Sequence, residues 1–172
     1  MCHLSNNENN LNVEEIAKLN EAVVGEKAPE FTLEKDDGEK LSLSDLLGKK
    51  VILYFYPKDN TTGCTAEALS FKENFKKFSD AGYVVLGVSR DSILSHVKFK
   101  TSKELPFSLL SDPSAKVCKE YGVLKMKNMY GKKYLGIERS TFVINELGIL
   151  THQYRKVNSK THVDTLLKDL QI

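Results

Sequence analysis

Apolar residues along this chain follow two rhythms, and the rhythms alternate. Val51 to Tyr56 is an unbroken apolar run, the pattern of a strand covered on both faces, and Pro57 ends it. Ala68, Phe71, Phe75 and Phe78 follow at helical spacing and predict an amphipathic helix over about residues 64–79. Gly82 closes that helix, and Tyr83 to Ser89 reads as a second buried strand. Asp91 is placed to cap a helix running to about residue 101, and Phe107 to Leu110 is strand-like. Asp112-Pro113 combines a cap with proline at a first helical position, with Gly122 at the end of that helix. Two stretches read as hairpins: Phe31 to Leu33 with Leu41 to Leu43 around Asp36-Asp37-Gly38, and Ser140 to Asn145 with Ile149 to Tyr154 around Glu146-Leu147-Gly148. Val163, Leu166, Leu167 and Leu170 mark a last helix, whereas Lys125 to Lys133 keeps neither rhythm and reads as a loop.

Strands alternating with helices and ending in an antiparallel pair predict an α/β fold: a central mixed β-sheet flanked by helices on both faces, with an N-terminal hairpin. The domain is placed at residues 25–172, beginning where Gly25 to Pro29 punctuates the chain. Residues 1–24 read as an N-terminal extension, polar and Asn-rich at first, then with a short helix capped by Asn12.

Composition narrows the function classes. A chain of 172 residues suits one domain with a sizeable core, and a net charge of +2 gives no footprint for nucleic acid or a membrane surface. No apolar run reaches membrane-spanning length and the N-terminus lacks a signal-peptide core, so a cytoplasmic protein is expected. Three cysteines, Cys2, Cys64 and Cys118, are odd in number and widely spaced, which argues against a disulfide framework and for a reducing compartment. No cysteine–histidine spacing supports a metal site, and no cofactor signature is present. His3, His96, His152 and His162 read as surface or cap residues, and Tyr54 and Tyr56 as strand core.

Ligands of open α/β sheets sit where strands end and helices begin, which points to residues 57–64. Cys64 opens the predicted helix, where unpaired N–H groups and the positive end of the helix dipole favour thiolate over thiol. Gly63 lets backbone approach a ligand closely, and Thr61 and Thr62 offer hydroxyls. On these grounds alone, a reactive cysteine and a partly buried structural one both remain open.

The motif carries more. Pro57, Thr61 and Cys64 match the Pro-x-x-x-Thr-x-x-Cys signature of the peroxiredoxins, the AhpC/TSA-like proteins. The stretch Tyr54 to Thr61, then Gly63-Cys64-Thr65 and Glu67, resembles the bacterioferritin-comigratory or peroxiredoxin Q subfamily. Gly25 to Phe31, Ser111-Asp112-Pro113, Tyr121-Gly122-Val123 and Arg139 to Ile144 extend the likeness over about residues 23–171. The resemblance implies a thioredoxin-like fold and a thiol-dependent peroxidase with antioxidant function, acting on hydrogen peroxide and organic hydroperoxides. It implies Cys64 as the peroxidatic nucleophile that becomes a sulfenic acid. Thr61 would hydrogen-bond the peroxide, the N–H groups of Gly63 and Cys64 would be fixed donors, and Pro57 would wall the pocket. Arg139 would donate to thiolate and peroxide together, with Glu67 orienting it. Otherwise Arg139 reads as a surface ion pair with Glu138, and Glu67 as a solvated helix residue. The segment Lys125 to Lys133 could overhang this site.

The sequence departs from the subfamily in one important place. Many members carry a second cysteine five residues after the first, where this chain has Leu69, on the polar side of the helix with Thr65 and Lys72. Position 62 is Thr instead of the usual Pro, and the stretch Asp91 to Thr101 contains no cysteine. Cys118 reads as a buried structural thiol and Cys2 as a tail residue. The expectation is a one-cysteine cycle, resolved by an external thiol such as thioredoxin, in a monomer or weak homodimer. Two rivals stand beside it. A thioredoxin-like thiol–disulfide oxidoreductase lacks its second cysteine, because position 67 is Glu67. A chaperone-like protein without turnover would have no use for Pro57, Thr61, Cys64 and Arg139 together.

Overall fold

The computed structural model describes residues 22–172. The stretch before Ala22, including Cys2, His3 and the helix expected after Asn12, lies outside the described residues. Strands β1 (Thr32–Lys35), β2 (Lys40–Ser42), β3 (Lys50–Phe55), β4 (Tyr83–Ser89), β5 (Ser108–Ser111), β8 (Ser140–Ile144) and β9 (Leu150–Tyr154) form one sheet in the order β2-β1-β5-β4-β3-β8-β9. Strands β3, β4 and β5 are parallel, and the flanking pairs are antiparallel, giving the expected mixed sheet.

The unbroken apolar run in β3 has a direct structural cause. Val51, Leu53 and Phe55 point into one core with Leu110, Cys118, Tyr121 and Phe142. Ile52, Tyr54 and Tyr56 point into the other, with Cys64, Ala68, Phe71 and Val163. Alternate residues of a strand leave on opposite faces, so a strand buried on both faces cannot alternate in polarity. Helices α1 (Thr62–Glu73), α2 (Phe75–Asp80), α3 (Ile93–Lys103) and α5 (His162–Leu170) cover the second face; α4 (Lys116–Glu120) and a 3-10 turn at Leu43–Leu46 cover the first. Ala22 already belongs to the first core. Among the described residues no helix is long and apolar enough to cross a membrane.

Several local expectations change. The helix predicted over residues 64–79 starts at Thr62 and breaks at Asn74, whose side-chain amide donates to the Ser70 carbonyl at 2.9 Å. Ser92, not Asp91, caps α3, its hydroxyl accepting the Ser95 N–H at 3.2 Å. Asp112 caps from a distance: its carboxylate accepts the Cys118 N–H at 2.8 Å, while Ala115 sits at φ 62° and α4 begins only at Lys116. The segment read as a loop is a hairpin of β6 (Leu124–Met129) and β7 (Lys132–Ile137). Its turn residues Tyr130 and Gly131 both have positive φ, 51° and 80°. Met126, Met129, Tyr134 and Leu135 remain exposed on this ribbon, so no apolar alternation announced it.

Candidate active site

Strand β3 delivers the chain to Tyr56 and Pro57, and a short loop turns it into α1. Thr61 is the N-cap, extended at φ −83° and ψ 160°. The Thr65 N–H donates to the Thr61 carbonyl at 2.9 Å, so the N–H groups of Thr62, Gly63 and Cys64 precede any possible acceptor within the helix. Cys64 therefore sits in the first turn, two residues further in than its sequence reading suggested, and is 1% exposed.

Two residues distant in sequence meet it. Arg139, in the short link between β7 and β8, donates from Nη2 to Cys64 Sγ at 3.4 Å and from Nη1 to Glu67 Oε1 at 2.8 Å. This fork replaces the alternative pairing of Arg139 with Glu138, and Glu67 is fully buried, not solvated. Burial pushes the Glu67 carboxyl up to about 7, although the Arg139 guanidinium pulls the other way. Burial also works against the charge of Arg139, but Glu67 and Cys64 hold its pKa above the ordinary value. Among the described residues, Glu67 Oε2 and the Tyr54 hydroxyl, both buried, have no hydrogen-bond partner. Gly63 has a steric reason: a Cβ there would lie 3.1 Å from Arg139 Nη2 and 3.4 Å from Ser159 Oγ. The Thr61 hydroxyl donates to the Lys58 carbonyl at 2.9 Å, leaving its lone pairs as acceptors.

A second layer holds the loop. Tyr56 donates to Asp59 Oδ1 at 2.5 Å, Ser95 donates to Asp59 Oδ2 at 2.8 Å, and His96 Nδ1 lies 2.7 Å from the same oxygen. His96 Nε2 faces the Leu110 carbonyl at 2.9 Å. A carbonyl cannot donate, so Nε2 carries a proton, and Nδ1 faces a carboxylate. Burial pulls the His96 pKa down, but Asp59, the Leu110 carbonyl and Asp91 more than offset it, and the net shift is upward. The ligand atoms of Asp59, Asp91 and His96 lie within 4.8 Å of one another, and the carboxylates already accept protein donors: Tyr56 and Ser95 on Asp59, and the Ser89 hydroxyl and Asp59 N–H on Asp91. His96 and His162 are thus buried, contrary to the surface reading. His162 bonds the Thr141 hydroxyl at 2.8 Å, and burial together with Arg139 pulls its pKa down to about 4. Asp59 and His96 lie far apart in sequence, and no spacing signal linked them.

Beside the loop is a cleft of about 660 Å³, lined by Pro57, Lys58 and Thr61, by Arg90, and by Lys127 and Tyr134 of the β6–β7 ribbon. Lys127 donates to the Ile137 carbonyl at 2.6 Å, and burial, together with the nearby Arg139 guanidinium, pulls its pKa down. Cys118 is fully buried in the core on the opposite face of the sheet, and Cys2 lies outside the described residues.

Known proteins place this geometry. The AhpC/TSA family profile matches residues 24–153. A bcp relative from Coxiella burnetii is 56% identical over 140 residues, covering 81% of this chain and 93% of the relative. Peroxiredoxin Bcp of Bacillus subtilis is 47% identical over 148 residues, covering 86% of this chain and 94% of the relative. A Xanthomonas campestris bacterioferritin comigratory protein, whose solved structure concerns alkyl peroxide reduction, matches with TM-score 0.81 and 40% identity over 88% of this chain and 98% of that one.

Proposed function

This chain belongs to the AhpC/TSA family and is a thiol peroxidase, and we propose that it reduces hydroperoxides, alkyl ones included, through Cys64 in a one-cysteine cycle. The observation that carries the reading is the single guanidinium that joins Cys64 Sγ to buried Glu67 at the start of α1. A sulfur flanked by that cation and by free N–H groups is set to carry negative charge and to attack. The hydroperoxide O–H donates to the Thr61 lone pairs, which are the hydroxyl's free valences. The sulfur attacks the terminal, hydrogen-bearing oxygen, an S–O bond forms as the O–O bond breaks, Cys64 becomes a sulfenic acid, and the other oxygen takes a proton and departs as water or an alcohol. Arg139 and the N–H groups of Gly63 and Cys64 offset the charge that moves onto that oxygen. Pro57, which has no N–H, lines the approach.

The electrons that restore Cys64 come from an external thiol, thioredoxin being the protein reductant that the family suggests, because Leu69 stands where a resolving thiol would lie and Cys118 is across the sheet. A monomer suffices for this cycle. The test is stopped-flow oxidation of the reduced protein followed by mass mapping of every cysteine. Cys64→Ser is expected to abolish peroxide consumption. Oxidised wild type is expected to carry the new oxygen on Cys64, and a peroxide-dependent disulfide to Cys118 or Cys2 would overturn the one-cysteine cycle.

A further inference from the structure

On the reading that Cys64 is the oxidised sulfur, each peroxide reduced leaves an oxygen that must take up a proton, and the charges around Cys64 bear on where that proton is kept. Three ionisable groups are enclosed together. Cys64 is 1% exposed, the Glu67 side chain 0% and the Arg139 side chain 15%. The guanidinium bonds both of the others, through Nη2 to Sγ and through Nη1 to Oε1. A single positive charge balances a single anion. A thiolate and a carboxylate held on it together would leave an uncompensated negative charge in a buried site, which is costly.

Among the described residues, the elements packed around this group do not cancel that excess. Lys127, on β6, is half-buried and commits its Nζ to the Ile137 carbonyl. His162, at the start of α5, has its pKa pulled down to about 4 by burial and by Arg139, so it is uncharged at neutral pH. Tyr54, on β3, is buried within reach of Glu67 and Cys64, and burial and those two groups keep its hydroxyl neutral. Glu67 is the group placed to give way. Its Oε2 is buried and, among the described residues, has no donor to hold a charge there. Protonating that oxygen removes the charge and leaves Oε1 as the acceptor for Arg139. Burial acts in the same direction and pushes the carboxyl up to about 7.

We propose that Glu67 holds a proton while Cys64 is a thiolate and releases it when the sulfur is oxidised, so that the anion paired with Arg139 passes from Cys64 to Glu67. The thiolate attacks the hydrogen-bearing oxygen, the S–O bond forms and the O–O bond breaks. Cys64 becomes a neutral sulfenic acid, and the other oxygen keeps the electron pair of the broken bond. Arg139 then faces no charge on its Nη2 side, and its attraction favours the ionised form of Glu67. The carboxyl proton ends on the leaving oxygen, which departs as water or an alcohol, and a carboxylate remains. The enclosed group is neutral before the step and neutral after it. Glu67 is a positioning residue that also stores a proton; the exchange requires charge balance and not contact with the peroxide. Reduction of the sulfenic acid restores the thiolate, and Glu67 takes a proton back.

Proton uptake tests this without depending on how fast the reaction runs. Reduced protein, in weakly buffered solution with a pH-indicator dye and just below the Glu67 value of about 7, receives one equivalent of hydrogen peroxide. Thiolate absorbance in the ultraviolet is recorded before the addition, and Cys64 is mapped by mass after it. Wild type is expected to take almost no proton from solution. Glu67→Gln keeps an acceptor for Arg139 but has no proton to give, and is expected to take up one proton for each Cys64 oxidised. An infrared difference spectrum of wild type is expected to lose a protonated-carboxyl band on oxidation, a loss absent from the variant. Equal proton uptake by the two proteins would overturn the proposal, as would an unchanged carboxyl band in wild type or a reduced wild type without thiolate absorbance. Should the variant fail to fold, the wild-type infrared spectrum decides the matter alone. Cys64 left unoxidised by peroxide would count against the peroxidase reading itself.

Discussion

The guanidinium of Arg139 serves two partners at once, Cys64 Sγ at 3.4 Å and Glu67 Oε1 at 2.8 Å. Only a planar fork spans both, and a lysine ammonium is a single point of charge. Arg139→Lys is therefore expected to slow Cys64 oxidation by about 10²-fold, the usual loss when a preorganised donor is removed from a developing oxyanion. Stopped-flow fluorescence or peroxide consumption will measure it. Glu67 gives a prediction of different kind. Its folded pKa of about 7 lies above its ordinary value of 4.5, so the folded state holds this proton more tightly than the unfolded chain. Its contribution to stability is present below the lower value and is lost as pH rises towards the upper one. A shift of that size corresponds to about 3 kcal/mol. Urea melts of wild type and Glu67→Gln are thus expected to diverge between these two values, with wild type losing ground to the variant as pH rises.

At the scale of elements, the contact that matters joins the Pro57–Thr61 loop to α3. Asp59 and His96 form a buried pair, and the same imidazole reaches β5 through the Leu110 carbonyl. Tyr56 from the end of β3, Asp91 from the turn before α3 and Ser95 from α3 itself complete its surroundings. Removing one member of such a pair leaves the other buried and unmatched, which costs about 3–5 kcal/mol. His96→Ala is expected to lose stability in that range below pH 6.5 and less above it. The sign follows from the raised folded pKa: the stabilisation is complete below the unfolded value and disappears as pH rises through the folded one. Chemical denaturation from pH 5 to 9 measures both the size and the slope. The break of the predicted long helix at Asn74 belongs to this scale too. Phe71 and Phe78 still bury themselves in one core, so the apolar stripe was real while the main chain beneath it was interrupted.

For the whole molecule, the sheet is a partition. Cys64 belongs to the core on one side of β3 and Cys118 to the core on the other. Burial and the nearby Asp112 push the Cys118 thiol pKa far up, so it is a poor nucleophile as well as a distant one. Cys118→Ser is expected to keep peroxide turnover close to wild type while costing about 1 kcal/mol, because a hydroxyl is poorly matched to an apolar core. Thermal melts and peroxide consumption on the same preparation separate the two effects.

What the chain alone determined was whatever rests on local periodicity or on one contiguous motif. The alternation of β3, β4 and β5 with helices followed from runs and stripes, and the loop from Pro57 to Cys64 stood out as a unit. Arg139 and Glu67 were legible only through resemblance, since nothing in their own neighbourhoods says that they touch. Tertiary structure alone decided that Asp59 and His96 pair, that His162 is buried, and that Lys127 lies beside the site on a ribbon with no apolar rhythm. The physical reason is that periodicity records which face of an element is buried. It does not record which buried face a distant polar residue will meet, because that depends on how the sheet orders its strands.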